Sequence, residues 1–429
     1  MIIVLAVSML VVVGLLVAAC GSEETTTTAA QGATTTAQGP ATTQGAATTQ
    51  GPATTAAPAG GEKVLKIGVM APLTGMTSAA GIPHMRMTEI CADWINANGG
   101  VKVNGESYKI ELVIVDEGET PDSGVTAATK LVETDKVKFI VGTISPQIAA
   151  AAGAVTEPAK VLRSLWHGEG TQEELNAQMP YTFRVPICPH DFAMEMLKYH
   201  VETYPQAKKI SLLFIDNSSG VTLAAQVKVM MESLGLTHVE TIMYPVDTQD
   251  FNPIISNVMR GKPDAVVCTA LPPLMGGILK TAREKGFEGP IYNLSPTSPN
   301  TVQMIAGADL ATDCIVPAPD LNSPNIPDLM KEMAQKVKDK YKEVSWDYLR
   351  PFDALWVLVQ AIEAANSLDT TEVAKAWENM KSFKVLEGEG TMGGLQTYGV
   401  NHQAVLPFAI TKIMGDKMEL VKWVTPSIP

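Results

Sequence analysis

The pattern of apolar and polar positions divides the chain into three stretches. Residues 1–19 are mostly apolar and carry no charge, whereas residues 20–62 are small and polar. From residue 63 onward, short β-branched apolar runs alternate with segments whose apolar positions recur at helical spacing. This alternation is typical of parallel β-sheets covered by helices on both faces. We therefore expect the folded body of the protein to begin near residue 63.

Two series of alternating segments predict two lobes. The strand-like segments VLKIGVMAPL, KIELVIVDEG, KFIVGTIS and VLRSLWH belong to the first series, and the second runs from KISLLFIDN to PIYNLSP. Three helical segments then follow one another, and the chain ends in an apparent hairpin around Gly415 and Asp416. The three helices need an apolar surface that is already formed, and the first lobe is the simplest one.

The predicted fold class is α/β, with two doubly wound parallel-sheet lobes joined by a hinge of several strands. The N-terminal lobe is assigned residues 63–186 plus 318–395, and the C-terminal lobe residues 187–317 plus 396–429. Because the chain would then cross between the lobes more than once, the crossings would form a hinge.

The N-terminus favours a secreted lipoprotein. Val17-Ala18-Ala19-Cys20 resembles a bacterial lipobox, so residues 1–19 are predicted to be a signal peptide and Cys20 the lipidated residue. The alternative is an uncleaved membrane anchor, and the stretch lacks the Lys or Arg that signal peptides normally carry. Residues 21–60 contain 13 threonines and few bulky apolar side chains, which predicts a disordered tether with an end-to-end distance of about 35 Å.

Composition narrows the function further. Lys and Arg number 32 against 45 Asp and Glu, and the net charge of −13 excludes a basic nucleic-acid surface. There is no HExxH, GxSxG or P-loop motif, so no metal site, cofactor or enzyme activity is expected. Residues 388–393 match GxGxxG, but a loop and a strand follow them where a dinucleotide site needs a helix.

Four cysteines remain in the body. Cys91 and Cys268 lie in predicted core elements and are expected to be buried thiols. Cys188 and Cys314 fall at predicted lobe crossings, where a disulfide is an alternative to the favoured free thiols.

Seven segments in order resemble a known family. They are KIGVMAPLTG, the helix ending INANGG, the strand end at Asp116, IVGTIS before an alanine-rich helix, YTFRV, FIDNSSG and PFDALWVLVQAIEAA. Together they make the body similar to solute-binding proteins of ABC importers of the leucine/isoleucine/valine-binding type. The resemblance implies a type I periplasmic-binding fold that closes on a small solute and delivers it to a membrane permease and its ATPase. It also implies a monomer held by lipid at the outer face of the cell membrane.

Ligand contacts are expected beyond the carboxyl ends of the strands, where open α/β sheets bind their ligands. Ser145, Pro146 and Gln147 open the alanine-rich helix, whose N-terminus suits a ligand carboxylate. The other candidates also follow predicted strands: Leu73, Thr74, Trp166 and His167 in the first lobe, and Asn217, Ser218, Ser219, Leu271, Pro272 and Ser295 in the second. For Ser145 an ordinary helix cap, and for Trp166 simple packing, are the competing interpretations.

The sequence departs from its relatives at three of these positions. Amino-acid binders of the family usually have a tyrosine where Ser219 stands, an aromatic residue in the loop of Leu271 and Pro272, and an acid near Ser295. A buried ammonium group without a carboxylate partner is costly, so a carboxylate, amide or aromatic solute is favoured over an α-amino acid. A sensory module of the same fold is the alternative function.

Overall fold

The computed structural model describes residues 63–428 except 167, 169, 296, 343 and 345–347, and for residues 218 and 272 it describes the backbone alone. The predicted signal peptide, Cys20 and the tether lie outside the described residues. No helix in the described part of the chain is both long and apolar enough to cross a membrane.

The first sheet has nine strands within the described residues. Their bounds are β1 Lys63–Ala71, β2 Val101–Val103, β3 Glu106–Asp116, β4 Phe139–Gly142, β5 Leu162–Leu165, β6 Thr182–Arg184, β12 Phe383–Val385, β13 Gly388–Gly393 and β14 Gln403–Val405. The strand order is β12-β13-β14-β6-β5-β4-β1-β3-β2. The strands from β14 to β3 run parallel to one another, while β2, β12 and β13 are antiparallel to their neighbours.

The second sheet has seven strands, again counted over the residues that the structure describes. They are β7 Lys209–Ile215, β8 Thr237–Tyr244, β9 Ala265–Cys268, β10 Ile291–Asn293, β11 Thr312–Val316, β15 Phe408–Met414 and β16 Lys417–Val424. The order is β16-β15-β11-β10-β9-β7-β8, parallel from β11 to β8 and antiparallel at β15 and β16. The predicted hairpin around Gly415 and Asp416 is the β15–β16 pair.

The helices of both lobes are α1 Ser78–Ala97, α2 Pro121–Thr129, α3 Pro146–Thr156, α4 Pro189–Thr203, α5 Ser218–Ser233, α6 Asn252–Arg260, α7 Pro272–Glu284, α8 Pro299–Ala306, α9 Asp328–Tyr341, α10 Pro351–Ala365, α11 Thr370–Glu378 and α12 Leu395–Tyr398, with a π-helical turn at Lys130–Thr134.

Helices cover both faces of the first sheet. Ile140 packs with α2 and α3, whereas its neighbour Val141 belongs to the core cluster of α1 and α10. Successive strand residues point to opposite faces, so the sheet is covered twice.

The three successive helices α9, α10 and α11 return to the first lobe, as the sequence predicts. Trp94 of α1 packs on Phe352 and Trp356 of α10, with ring centroids 5.4 and 5.3 Å away. The Cys91 thiol also donates to the Phe352 carbonyl at 3.4 Å. The apolar faces of α1 and α10 therefore cover one another as well as the sheet.

Three connections join the two lobes, and they place the two carboxyl edges close together. Residues 185–188 lead from β6 to α4, residues 317–327 from β11 to α9, and Leu406 and Pro407 from β14 to β15. Strand β14 is parallel to β6, and β15 is antiparallel to β11. The β14–β15 connection thus runs from one carboxyl edge to the other, and two residues span at most about 11 Å.

Three details differ from the sequence predictions. The sheets are mixed because antiparallel strands close their ends. Strand β14 extends the first sheet beyond the predicted boundary at residue 395. Cys314 lies within β11, paired with Ile291 in the second sheet, and not at a crossing. Both Cys188 and Cys314 are buried thiols rather than a disulfide, as the favoured interpretation predicts.

Candidate functional site

The carboxyl end of β3 holds the loop that follows β1. The Asp116 carboxylate accepts hydrogen bonds from the Leu73 N–H at 2.9 Å, the Thr74 hydroxyl at 2.6 Å and the Gly118 N–H at 3.0 Å. Partial burial acts to raise the pKa of Asp116, but these donors outweigh it and the pKa is lowered. Two predicted ligand residues, Leu73 and Thr74, are therefore fixed in place by one carboxylate.

Asp116 begins the acidic sequence DEGE, residues 116–119. The two other acids of this DEGE run hold other parts of the first lobe. Glu119 accepts from the Thr77 N–H at 2.8 Å and from the Thr77 hydroxyl at 3.1 Å, just before α1. The fully buried Glu117 accepts a short hydrogen bond from the Thr143 hydroxyl in the loop after β4. One strand end thus positions the loops after β1 and β4. The sequence signal that could reveal this is an acidic run directly after a buried strand.

Ser145 caps α3 as the sequence predicts. Its hydroxyl accepts from the Ile148 N–H at 3.4 Å and lies 3.3 Å from Gln147 Oε1, and Pro146 occupies the first helical position. Ser145 and Pro146 are half-buried, while Gln147 is exposed. The cap and the start of α3 lie at the carboxyl edge, where the helix dipole favours an anion.

Trp166 is almost fully buried after β5. It is 1% exposed and stacks on His84 of α1, with centroids 5.8 Å apart and planes at 20°. Its Nε1 has no hydrogen-bond partner among the described residues. The packing interpretation accounts for the ring, and the unmatched indole N–H leaves a donor at the edge of the site. His167, the other candidate in this loop, lies outside the described residues.

Arg184 is a buried cation that sequence reasoning missed. At the end of β6, its Nη1 lies 3.2 Å from Glu174 Oε2, its Nε donates to Gln403 Oε1, and its guanidinium stacks 4.8 Å from the centroid of the Tyr398 ring. Burial acts to lower the pKa of Arg184, but Cys188, Tyr398 and the nearby acids hold it above its ordinary value. Its Nη2 has no hydrogen-bond partner within the described part of the chain.

A Cys-His-Asp group lies where the connection of residues 185–188 enters α4. The ligand atoms of Cys188, His190 and Asp191 lie within 4.8 Å of one another. Asp191 is occupied already, since it accepts from the Cys188 N–H at 2.8 Å and lies 2.9 Å from His190 Nε2. Cys188 and Asp191 also act on the guanidinium of Arg184, and this neighbouring positive charge opposes a metal cation.

In the second lobe, the predicted ligand residues lie at the start of α5 and in the loops after β9 and β10. The Asn217 side chain caps α5 by accepting from the Gly220 N–H at 2.7 Å, and Ser219 is half-buried. Leu271 is 51% exposed just before α7. Ser218 and Pro272 are the first residues of α5 and α7, and their side chains are outside the description.

One buried amide ties two loops of the second lobe together. The Asn293 side chain accepts from the Ala270 N–H at 2.9 Å and donates to the Ala270 carbonyl at 2.9 Å and to the Thr297 hydroxyl at 2.8 Å. Its Oδ1 also accepts from the Ser295 N–H at 3.2 Å. The loops of Leu271 and Ser295 are therefore held side by side by a residue that the sequence analysis did not select.

A separate cavity of about 530 Å³ lies away from these loops. Ala207, Pro263 and Gly289 line it, and each precedes the amino end of a strand in the second sheet. It is therefore at the edge opposite the predicted ligand residues.

Comparisons with known proteins agree with this arrangement. A family model described as periplasmic binding protein matches residues 64–417. The Leu/Ile/Val-binding protein homolog 2 of Brucella abortus is 27% identical over 341 residues, covering 76% of this chain and 85% of the relative.

Two solved structures have the same fold. The branched-chain amino acid transporter substrate-binding protein LivJ of Streptococcus pneumoniae, solved with isoleucine, has a TM-score of 0.67 at 21% identity and covers 85% of this chain and 100% of its own. A solute-binding protein of an ABC transporter from R. palustris, solved with benzoate, has a TM-score of 0.66 at 18% identity, with coverages of 85% and 97%.

Proposed function

Because the chain belongs to the periplasmic binding protein family, of the leucine/isoleucine/valine-binding type, we propose that it is the extracytoplasmic solute-binding component of an ABC importer. It captures one small solute between its two lobes and delivers that solute to a permease and ATPase. Cys20 is the proposed lipid attachment site, and the body is proposed to act as a monomer.

The observation that supports this function most strongly is the geometry of the three connections. The two-residue link at Leu406 and Pro407 keeps the carboxyl edges of both sheets close together. The loops at these edges are held by polar side chains, the half-buried Asp116 and the buried Asn293. A solute that contacts loops of both lobes would stabilise the closed arrangement over an open one.

The proposed solute carries a carboxylate. The N-terminus of α3 and the buried Arg184 supply positive potential on the first lobe. Asp116 and Asp191 are engaged by donors of the protein itself, so neither needs a ligand cation. Isoleucine and benzoate, the solutes of the two related structures, share a carboxylate group.

A solute screen with the full chain tests the proposal. Thermal unfolding is measured with branched-chain amino acids, amides, benzoate and short-chain carboxylates, and one class is expected to raise the melting temperature without being consumed. Ligand at about 100 times its Kd stabilises by about 2.7 kcal/mol. Small-angle scattering is expected to show a smaller radius of gyration with the same solute. No stabilisation by any class, or turnover of the solute, would contradict the proposal.

Delivery needs a separate test. Proteoliposomes that contain the cognate permease and ATPase are supplied with the labelled solute, with and without this protein. ATP-dependent uptake is expected only when the protein is present. Binding without uptake would instead favour a sensory role for the same fold.

A further inference from the structure

Glu117 continues the alternation of β3 onto the face covered by α2 and α3. Val113 and Val115 pack against the apolar cluster of that face, which includes Ile148 in the first turn of α3. Because side chains alternate along a strand, Glu117 follows them on the same side. A carboxyl group is thus placed where the strand pattern calls for another apolar side chain, beneath the start of α3.

Hydrogen bonds connect this carboxyl group to the cap of α3. Glu117 Oε1 accepts from the Thr143 hydroxyl, and the backbone N–H of Ile144 also donates to the carboxyl group. The Thr143 oxygen in turn accepts from the Ser145 N–H at 3.3 Å. Glu117 is therefore two hydrogen bonds away from the residue that caps the proposed carboxylate site.

The second oxygen of Glu117 is unsatisfied. The residue is 0% exposed, and its Oε2 has no hydrogen-bond partner among the residues that the structure describes. Burial raises the pKa of Glu117 to about 7, against the Thr143 and Ile144 donors that lower it. A proton on Oε2 would leave both of those hydrogen bonds in place.

The charged groups near Glu117 are acids. Asp116 and Glu119 belong to the same DEGE run, and Asp122 lies in the first turn of α2. The segments 72–77 after β1 and 143–148 around the start of α3 contain no ionisable side chain. Asp116 raises the pKa of Glu117 further, and no cation within the described part of the chain forms an ion pair with Glu117.

We infer that Glu117 makes carboxylate binding proton-linked: when a carboxylate binds at the start of α3, Glu117 takes up one proton from the solvent. The anion brings one negative charge and the proton removes one, so the charge of the site is unchanged. The inference rests on the proposed function, because it names the charge state in which the same site accepts its solute. A cationic group bound there would have the opposite effect and would release the proton.

The first test needs no ligand. The full chain is labelled with 13C at the glutamate side-chain carboxyl carbon, and the resonance lost in Glu117→Gln identifies Glu117. A titration midpoint near neutral pH is expected. A midpoint in the ordinary carboxyl range near pH 4 would overturn the inference whatever the protein binds.

The second test uses benzoate and isovalerate, each beside its uncharged amide. For the carboxylates, affinity is expected to fall about tenfold between pH 6.5 and 8.5, and calorimetry in buffers of different ionisation enthalpy should show proton uptake. For the amides, affinity should not depend on pH. Glu117→Gln should remove the pH dependence for the carboxylates, while Glu111→Gln, an exposed acid on the same strand, should keep it.

The outcomes separate the inference from the proposed function. Carboxylate binding without proton uptake, or affinity that rises with pH, overturns the inference and leaves the solute-binding function intact. If only a solute without a carboxylate binds, the inference fails in the same way. If no solute of any class binds, the proposed function itself fails.

Discussion

Single polar side chains, buried or half-buried, position most of the proposed site. Asp116 holds Leu73 and Thr74, and Asn293 holds the loops of Leu271 and Ser295. Each side chain satisfies backbone groups that a buried loop would otherwise leave without partners. The loops proposed to face a solute are thus kept in place by Asp116 and Asn293.

Replacing Asn293 with alanine should be costly. Asn293→Ala removes hydrogen bonds to Ala270 and Thr297 in a fully buried position, so we expect the free energy of unfolding to fall by about 2–4 kcal/mol. Urea denaturation measures the change. The control is Asn322→Ala, an exposed turn residue, which should change stability by less than about 0.5 kcal/mol. An equal, small effect of both substitutions would show that the Asn293 bonds contribute little.

At the scale of the elements, helix starts are the features proposed to bind the solute. The helices α3 and α5 are both capped by a polar side chain at a carboxyl edge, Ser145 in the first lobe and Asn217 in the second. Helix α11 is also capped, by Asp369, but the preceding Leu368 accepts from Lys138, which lies just before the amino end of β4. Capping alone therefore does not identify the proposed ligand site, which is placed by the edge of the sheet at which the helix begins.

A pair of cap substitutions separates stability from binding. Ser145→Ala and Asp369→Ala should each lower the free energy of unfolding by about 1 kcal/mol, because each removes an acceptor for helix N–H groups. Only Ser145→Ala should weaken benzoate binding, by about threefold. Denaturation and calorimetry on both variants provide the two readouts. Equal loss of affinity in Asp369→Ala would refute a specific role for the start of α3.

At the scale of the whole molecule, a buried pair of acids lies at the predicted hinge between the lobes. Asp353 and Glu387 lie beside Pro186, Leu406 and Pro407, which belong to two of the three connections. Asp353 also accepts from the Leu386 N–H at 2.8 Å. Burial, and then the charge of Glu387, raises the pKa of Asp353 well above its ordinary range.

Stability is expected to decline with rising pH because of this pair. A carboxyl group whose pKa is raised by folding contributes stability below its ordinary pKa, near 4, and loses it as pH rises toward the folded value. Asp353→Asn keeps an acceptor for Leu386 and removes the ionisation. It should therefore be more stable than the wild type at pH 8 by at least about 1.4 kcal/mol, with a smaller difference at pH 5.

Denaturation at pH 5, 6.5 and 8 measures this effect. Asp328→Asn, which changes an exposed acid paired with Lys331, serves as the control and should leave the pH slope of the wild type unchanged. A slope that persists in Asp353→Asn would show that the hinge pair does not account for it.

Much of the fold could be predicted from the sequence because the signals for its strands and helices are local. Hydrophobic periodicity defined strands and helices, and Ser145 with Pro146 marked the start of α3 in the correct place. The order of the segments predicted the two lobes and the return of the last helices to the first one. These features depend on residues close together in the chain, so one sequence contains them.

Contacts between distant residues were decided only by the tertiary structure. Glu117 meets Thr143 across 26 positions, and Asn293 meets Ala270 across 23. Arg184 and Gln403 are 219 positions apart, and their contact brings β14 into the first sheet, beyond the boundary predicted from sequence. Burial decides the pKa of a carboxyl group and the value of a hydrogen bond, and burial exists only once the chain has folded.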